Sequence, residues 1–207
     1  MMDNHMNMTG CFSFSLEENL STQAWQEITD EAHGRAKQQW EDARRNENAS
    51  FSFGEKGRSR SVEQRKLHAI IGCAAEKLVA DFTNTQWTKQ RRQYADNRQP
   101  DLIVNYKGRL VNSEVRGTQS SVGFIVRPRW ESGALRDFTE SKKDYLLFGV
   151  SNLPDGDSCK IGYRFFGELA PLCEKHPEWL CKKNSKTPYY LVPVDYFEFK
   201  FEDFKYY

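Results

Sequence analysis

Neither sign of charge is in excess in this chain: 207 residues carry 30 Lys and Arg against 29 Asp and Glu, a net charge of +1. A near-neutral chain does not attract nucleic acid by bulk charge, so any such contact has to come from local patches. Long apolar runs are missing too. None approaches the ~18 residues that span a bilayer, which excludes a transmembrane helix. The opening residues, MMDNHMNMTGCFSF, lack a basic stretch followed by a long apolar core, so no signal peptide is expected. Five cysteines without a secretory leader then read as reduced thiols in a cytoplasmic protein. There is no GxxxxGK[ST] loop, GEKGRSR at 54–60 being the nearest approach, and no GxSxG elbow. These absences argue against nucleotide hydrolysis and serine-hydrolase chemistry.

What is present is enough for a core: 38% of residues are hydrophobic and 14% aromatic. Residues 1–15 read as loose. Leu16, Leu20, Ala24, Ile28, Ala32, Ala36 and Trp40 then recur every four residues, a narrow helical stripe running to about Arg45. Such a stripe packs on the rest of the domain or on a second copy of the chain. Residues 46–60 carry Asn, Ser, Gly and charge and read as a linker. Ser61 with Gln64 fits a capping box that opens a helix to about Phe82. Its broad apolar face holds Leu67, Ile70, Ile71, Ala74, Leu78 and Val79. Beside that face, His68, Gly72 and Glu76 share one row. Gly72 costs a helix about 1 kcal/mol relative to Ala, which suggests close packing there.

Two strands, DLIVNY and RLVNSEVRG, follow across a turn at Lys107–Gly108. YLLFGV (145–150) reads as a strand buried on both faces, and KIGYRFF (160–166) as its hairpin partner. A short helix near Glu168–Cys173 comes next. YYLVPV (189–194) reads as an edge strand because of Pro193, and the aromatic tail as a further edge strand. The order predicts an α/β fold with one mixed central sheet flanked by helices. The chain divides into an N-terminal extension, 1–60, and a core, 61–207.

The chemistry concentrates at 99–119. Residues i and i+2 of a strand share a face. Val111, Ser113 and Val115 would therefore point to the core, and Asn112, Glu114 and Arg116 the other way. The returning strand brings Glu114 toward Asp101. Two converging carboxylates repel unless a cation lies between them. Magnesium suits such a place, and the carbonyl of Val115 would be a further oxygen ligand. Plainer readings exist for each residue. Glu76 would be a solvated helix residue, His68 a structural histidine and Asp101 a turn cap. Glu114 with Arg116 would be a same-face ion pair worth under ~1 kcal/mol. Cys173, His176 and Cys181, with Cys159 upstream, have an irregular spacing that suits buried thiols better than a structural zinc.

Glu76 in GCAAEKLV, Pro100–Asp101 in QPD and Glu114-Val115-Arg116 in SEVRG, with Thr118–Gln119 and the apolar strand DYLLFGV after them, resemble the PD-(D/E)XK nuclease superfamily over roughly residues 61–166. The resemblance implies a restriction-endonuclease-like core and a nuclease that hydrolyses DNA phosphodiesters. Its place would be in phage or bacterial DNA processing, restriction or repair. Mg2+, with Mn2+ as substitute, would be held by Asp101, Glu114, Val115 and Glu76. Asp101, Glu114, Arg116 and Glu76 would be catalytic. Lys89, Arg91, Arg92, Arg98, Gln119, Arg127 and Arg129 would contact the DNA backbone. Single- and double-stranded DNA, or RNA, remain open as substrates, as does a homodimer; no membrane partner is expected.

Arg116 stands where that family has lysine. Arginine forks a phosphate but stays protonated, so it stabilises charge and does not act as a base. Three readings follow. Arg116 acts electrostatically beside the metal; or Lys77, Lys107, Lys142 or Lys143 takes over the lysine's work; or the site is degenerate and the module binds DNA or a protein partner without cutting.

Overall fold

The computed structural model describes residues 10–45, 62–87, 89, 100–126, 143–154, 158–181 and 189–204. Its centre is a five-stranded mixed sheet. The strands are β1 (Phe12–Phe14), β2 (Leu102–Tyr106), β3 (Arg109–Gly117), β5 (Leu146–Val150) and β6 (Cys159–Phe165), in the order β1-β6-β5-β3-β2. Only β3 and β5 run parallel; the other pairs are antiparallel. A separate three-stranded sheet, in the order β4-β8-β7, holds β4 (Gly123–Val126), β7 (Leu180–Cys181) and β8 (Tyr189–Pro193). Among the described residues, four helices accompany the sheets: α1 (Leu16–Asn19), α2 (Thr22–Arg45), α3 (Val62–Phe82) and α4 (Phe166–Lys175). The α/β layout with a mixed sheet and flanking helices is the one the sequence predicts. No helix among the described residues is long and apolar enough to cross a membrane.

The N-terminal stripe is helical, and α2 lies along α3. Leu16, Leu20, Ile28, Ala32 and Ala36 are buried; the side chain of Trp40 lies outside those described. Ser21 caps α2 by accepting the Ala24 N–H at 3.1 Å, satisfying one of the first-turn donors that a helix leaves unpaired. Residues 12–14 are not loose. Phe12 and Phe14 sit on one face of β1, at the period of a strand, and their rings meet Phe82, Phe199 and Phe201 in edge-to-face and tilted contacts. The segment thus completes the sheet edge beside β6. Ser61, the expected cap of α3, lies outside the described residues.

Two clusters of buried side chains mark the faces of the main sheet. Val115, Leu146, Phe148 and Val150 belong with the α3 residues Ile71, Ala74, Ala75 and Leu78. Leu147 belongs with Phe124, Phe166 and Leu169 on the other face. Alternation along β5 therefore splits it between two cores, which is why all five of its residues are buried.

Two glycines set these spacings. A Cβ on Gly117 would lie 2.6 Å from the Ile71 carbonyl oxygen, so α3 rests directly on the end of β3. A Cβ on Gly149 would lie 2.1 Å from the Phe124 ring, which carries the second sheet onto β5. Gly72, by contrast, has open space where a Cβ would be, so the close packing expected there is found at Gly117 instead.

The second sheet differs from the sequence reading. β4 falls in a stretch for which the sequence predicts no strand, because four residues that find their partners in β8, far along the chain, leave no local pattern. β8 is the middle strand of its sheet and not an edge. Pro193 is its last residue and pairs with Gly123, so the missing N–H falls at the end of the ladder. The tail forms single turns of 3-10 helix at Val194–Tyr196 and Phe201–Phe204, with one bridge from Glu198 to Tyr163. Its rings fill both cores: Phe197 meets Phe124, and Phe204 meets Tyr106, Phe148 and Tyr163.

These spacings predict opposite outcomes for two alanine substitutions. Gly117→Ala should destabilise by about 1–3 kcal/mol, the usual cost of overpacking. Gly72→Ala should stabilise by up to ~1 kcal/mol through helix propensity alone. Urea denaturation of both variants checks the pair.

Candidate active site

The hairpin of β2 and β3 is closed by Lys107 and Gly108, both at positive φ (50° and 78°), the backbone that a two-residue turn between twisted strands requires. This turn fixes the register, with Leu102 opposite Ser113 and Tyr106 opposite Arg109. Asp101 lies one residue before β2, and its N–H donates to the Ser113 carbonyl at 2.8 Å. Its carboxylate folds back onto β3, where Oδ2 accepts the Val115 N–H at 2.7 Å.

Glu114 and Arg116 share the face of β3 that turns away from α3. Their partners on β5 are Leu147 and Gly149, the residues that meet the second sheet. Arg116 Nη1 donates to Glu114 Oε2 and to the Val115 carbonyl, each at 3.2 Å, and lies 3.7 Å from Asp101 Oδ2. Asp101, Glu114 and the Val115 carbonyl therefore turn oxygens toward one point, and a guanidinium nitrogen stands at it. Glu114 is buried. Pairing with Arg116 supplies the compensation that an enclosed carboxylate needs.

Glu76 belongs to a second, adjoining network. It extends from α3 and is buried. Arg35 of α2 grips it with two parallel bonds of 2.7 Å, from Nη1 to Oε1 and from Nη2 to Oε2. Arg35 Nε also donates to Glu31 Oε1 at 2.9 Å, and Trp87 Nε1 reaches Glu76 Oε2 at 3.3 Å. Burial pushes the Glu76 carboxyl above its ordinary range. The bonds and charge of Arg35 oppose that push, and the nearby charge of Asp101 adds to it. Asp101 is thus the group that the two networks share.

Arg35 and Trp87 were not legible as site residues. Glu31 and Arg35 are spaced as a helical i, i+4 pair, but nothing local links them to a glutamate 41 positions along.

Among the described residues no group of three or more His, Cys, Asp or Glu side chains is placed to hold a metal ion. The oxygens available at one point are those of Asp101, Glu114 and the Val115 main chain. Hard oxygen donors of this kind, completed by water, suit magnesium, so the donor chemistry fits. Glu76 does not join them, since both its oxygens bond Arg35.

Other residues singled out in the sequence lie elsewhere. Lys77 pairs with Asp81. Lys107 pairs with Asp203 at the far end of the hairpin. The Lys143 carbonyl accepts the Gly167 N–H. Lys89 pairs with Glu27 of α2 at 3.4 Å and stands over the Trp87 ring. Gln119 is exposed, two residues beyond β3. Arg91, Arg92, Arg98, Arg127, Arg129 and Lys142 lie outside the described residues. His176 stacks on Trp179 and bonds Glu178 through Nδ1. Burial pushes the Cys73 and Cys173 thiols up to about 12, which leaves them poor nucleophiles at neutral pH.

Comparison of the chain with protein-family models, with curated proteins and with solved structures gives no match.

The Arg35–Glu76 pair has a signed pH dependence. A carboxyl whose native pKa lies above its unfolded value is protonated more readily in the folded state. Its contribution to stability therefore declines as pH rises from the unfolded carboxylate range through the native value. Arg35→Gln removes the contribution that lowers Glu76. The variant should lose about 3–5 kcal/mol at neutral pH, as for a broken buried pair, and recover part of it in acid. Adding Glu76→Gln should abolish the pH-dependent part. Urea denaturation at pH 5 and pH 8 measures this, and a parental pH profile for Arg35→Gln would count against the pairing.

Proposed function

We propose that this chain is a metal-dependent nuclease that hydrolyses DNA phosphodiester bonds on a restriction-endonuclease-like core. The reading is carried by one observation: Asp101 Oδ2, Glu114 Oε2 and the Val115 carbonyl surround a single cationic nitrogen at 3.2–3.7 Å. Asp101, Glu114 and the Val115 carbonyl would hold Mg2+ or Mn2+. When bound, such an ion lowers the pKa of water and neutralises charge on the phosphate.

The rest falls to the chain itself. The Val115 N–H holds Asp101 Oδ2 in place, so one ligand is oriented by the strand that carries the other. Arg116, on the same face as Glu114, offers a planar fork to a phosphate and stabilises the charge that grows on its oxygens during in-line attack. It stays protonated and takes no part as a base. Glu76, held by Arg35, sets the electrostatic background of Asp101 and is not a ligand in this scheme. Lys89 and Gln119, with the basic residues Arg91, Arg92, Arg98, Arg127 and Arg129, would supply phosphate contacts along the backbone of the substrate.

The same nitrogen supports a second reading. A guanidinium placed among these oxygens is itself a counter-ion, which is what a relict site that binds DNA or a protein without cutting would keep.

Incubation of the chain with supercoiled plasmid and with linear single-stranded DNA, in Mg2+, Mn2+ or EDTA, separates the two. The nuclease reading expects cleavage that EDTA stops, and its loss in Asp101→Asn and Glu114→Gln. Arg116→Lys should keep much of the rate, while Arg116→Ala should lose a factor of about 10²–10³, as for one stabilising group. An intact substrate with the parent chain in either metal selects the non-cutting module, for which a mobility-shift assay reads DNA binding directly.

A further inference from the structure

We propose that Arg116 and a divalent cation are alternative occupants of one set of oxygens, so that binding of metal and of phosphodiester is coupled through this side chain. The inference rests on the nuclease reading above and adds to it an order of events. Arg116 Nη1 already bonds Glu114 Oε2 and the Val115 carbonyl and lies 3.7 Å from Asp101 Oδ2. Magnesium binds its oxygens at about 2.0–2.1 Å. An ion drawing those three oxygens to that distance would sit against the guanidinium, with two like charges in contact and few water molecules between them. The arginine has to leave before the ion is held.

The side chain can do so. It is 23% exposed, and it is a long stem with several rotatable bonds, rooted on the second-last residue of β3, three positions before the exposed Gln119. Leaving costs the arginine its carboxylate partners unless another anion takes their place. A phosphodiester is that anion, and its geometry matches the guanidinium fork. Substrate thus draws Arg116 off the acids, and the oxygens that its guanidinium vacates take up the metal. Asp101 and Glu114 face a cation at every stage, first Arg116 and then the ion. Linkage makes the effect reciprocal: metal tightens phosphate binding by the factor by which phosphate tightens metal binding.

Mn2+ binding, read by the loss of the free-ion electron paramagnetic resonance signal, tests this without any cleavage. The full chain is titrated with Mn2+ alone and with a short phosphorothioate oligonucleotide that resists hydrolysis. Coupling predicts that the oligonucleotide tightens Mn2+ binding by a factor of about 5–150, the usual span for linked sites. Arg116→Met should bind Mn2+ more tightly without the oligonucleotide and gain little from adding it, and Asp101→Asn should lose the binding. Equal Mn2+ affinity with and without the oligonucleotide in the parent overturns the coupling while leaving a metal site in place. Absence of Mn2+ binding in the parent and in Arg116→Met, with or without the oligonucleotide, overturns the metal-site reading itself. The two parent titrations decide the coupling even if Arg116→Met does not fold.

Discussion

Enclosed carboxylates that need a partner tie the elements of this molecule together. Glu31, Glu76, Glu114 and Asp203 are all buried, and a buried carboxylate left without a partner costs several kcal/mol. Each is met by a group from another part of the chain, from the next turn of its helix or, for Glu114, from two residues further along its own strand. Arg35 binds Glu31 and Glu76, and so ties α2 to α3. Arg116 binds Glu114 and approaches Asp101, and so ties β3 to the start of β2. Asp203 takes the Tyr163 hydroxyl and the Lys107 ammonium, and so ties the C-terminal turn to the hairpin. The acids are placed where a loss of either arginine would be felt in the fold and at the site together.

The sheet gives these contacts their precision. β3 is paired with β2 from Arg109 to Ser113 and with β5 from Ser113 to Gly117, and one face of its last residues is pressed by α3 through Gly117. Glu114, Val115 and Arg116 stand on that stretch. Ladder pairing to β5 leaves a side chain here little freedom at its root, and Val115, beyond the last β2 pair at Ser113, lends its N–H to Asp101 and its carbonyl to Arg116. In the proposed exchange the long arm of Arg116 would be the component that moves. Oxygens placed by the strand, beside a cation on a long stem, are what support the proposal that an external ion takes the place of Arg116.

Much of the frame was legible from local pattern. The period of four from Leu16 to Ala36 defines α2, the broad apolar face from Leu67 to Val79 defines α3, and unbroken apolar residues mark β5. Lys107–Gly108 marks the turn that sets the hairpin register, and alternation then places Glu114 and Arg116 on one face. The second sheet was not legible. β4 is four residues whose pairing with β8 lies about seventy positions away, and the tail that alternates like a strand spends its rings on two separate cores. Phe12 and Phe14 had the period of a strand but too few repeats to show it.

The sequence by itself determined which residues are apolar at which period, and with them the helices, the hairpin and the nearness of Asp101 to Glu114, because these depend on spacing within a few residues. Only the tertiary structure decided what neutralises the acids. That Arg35 rather than a lysine of α3 holds Glu76, that Trp87 joins it, and that Arg116 turns inward to the oxygens of its own hairpin rather than out to solvent all follow from how α2, α3 and the sheet pack. Charge compensation acts through space over a few ångströms, and the partners it selects in this chain are set by burial, which no local stretch of sequence specifies.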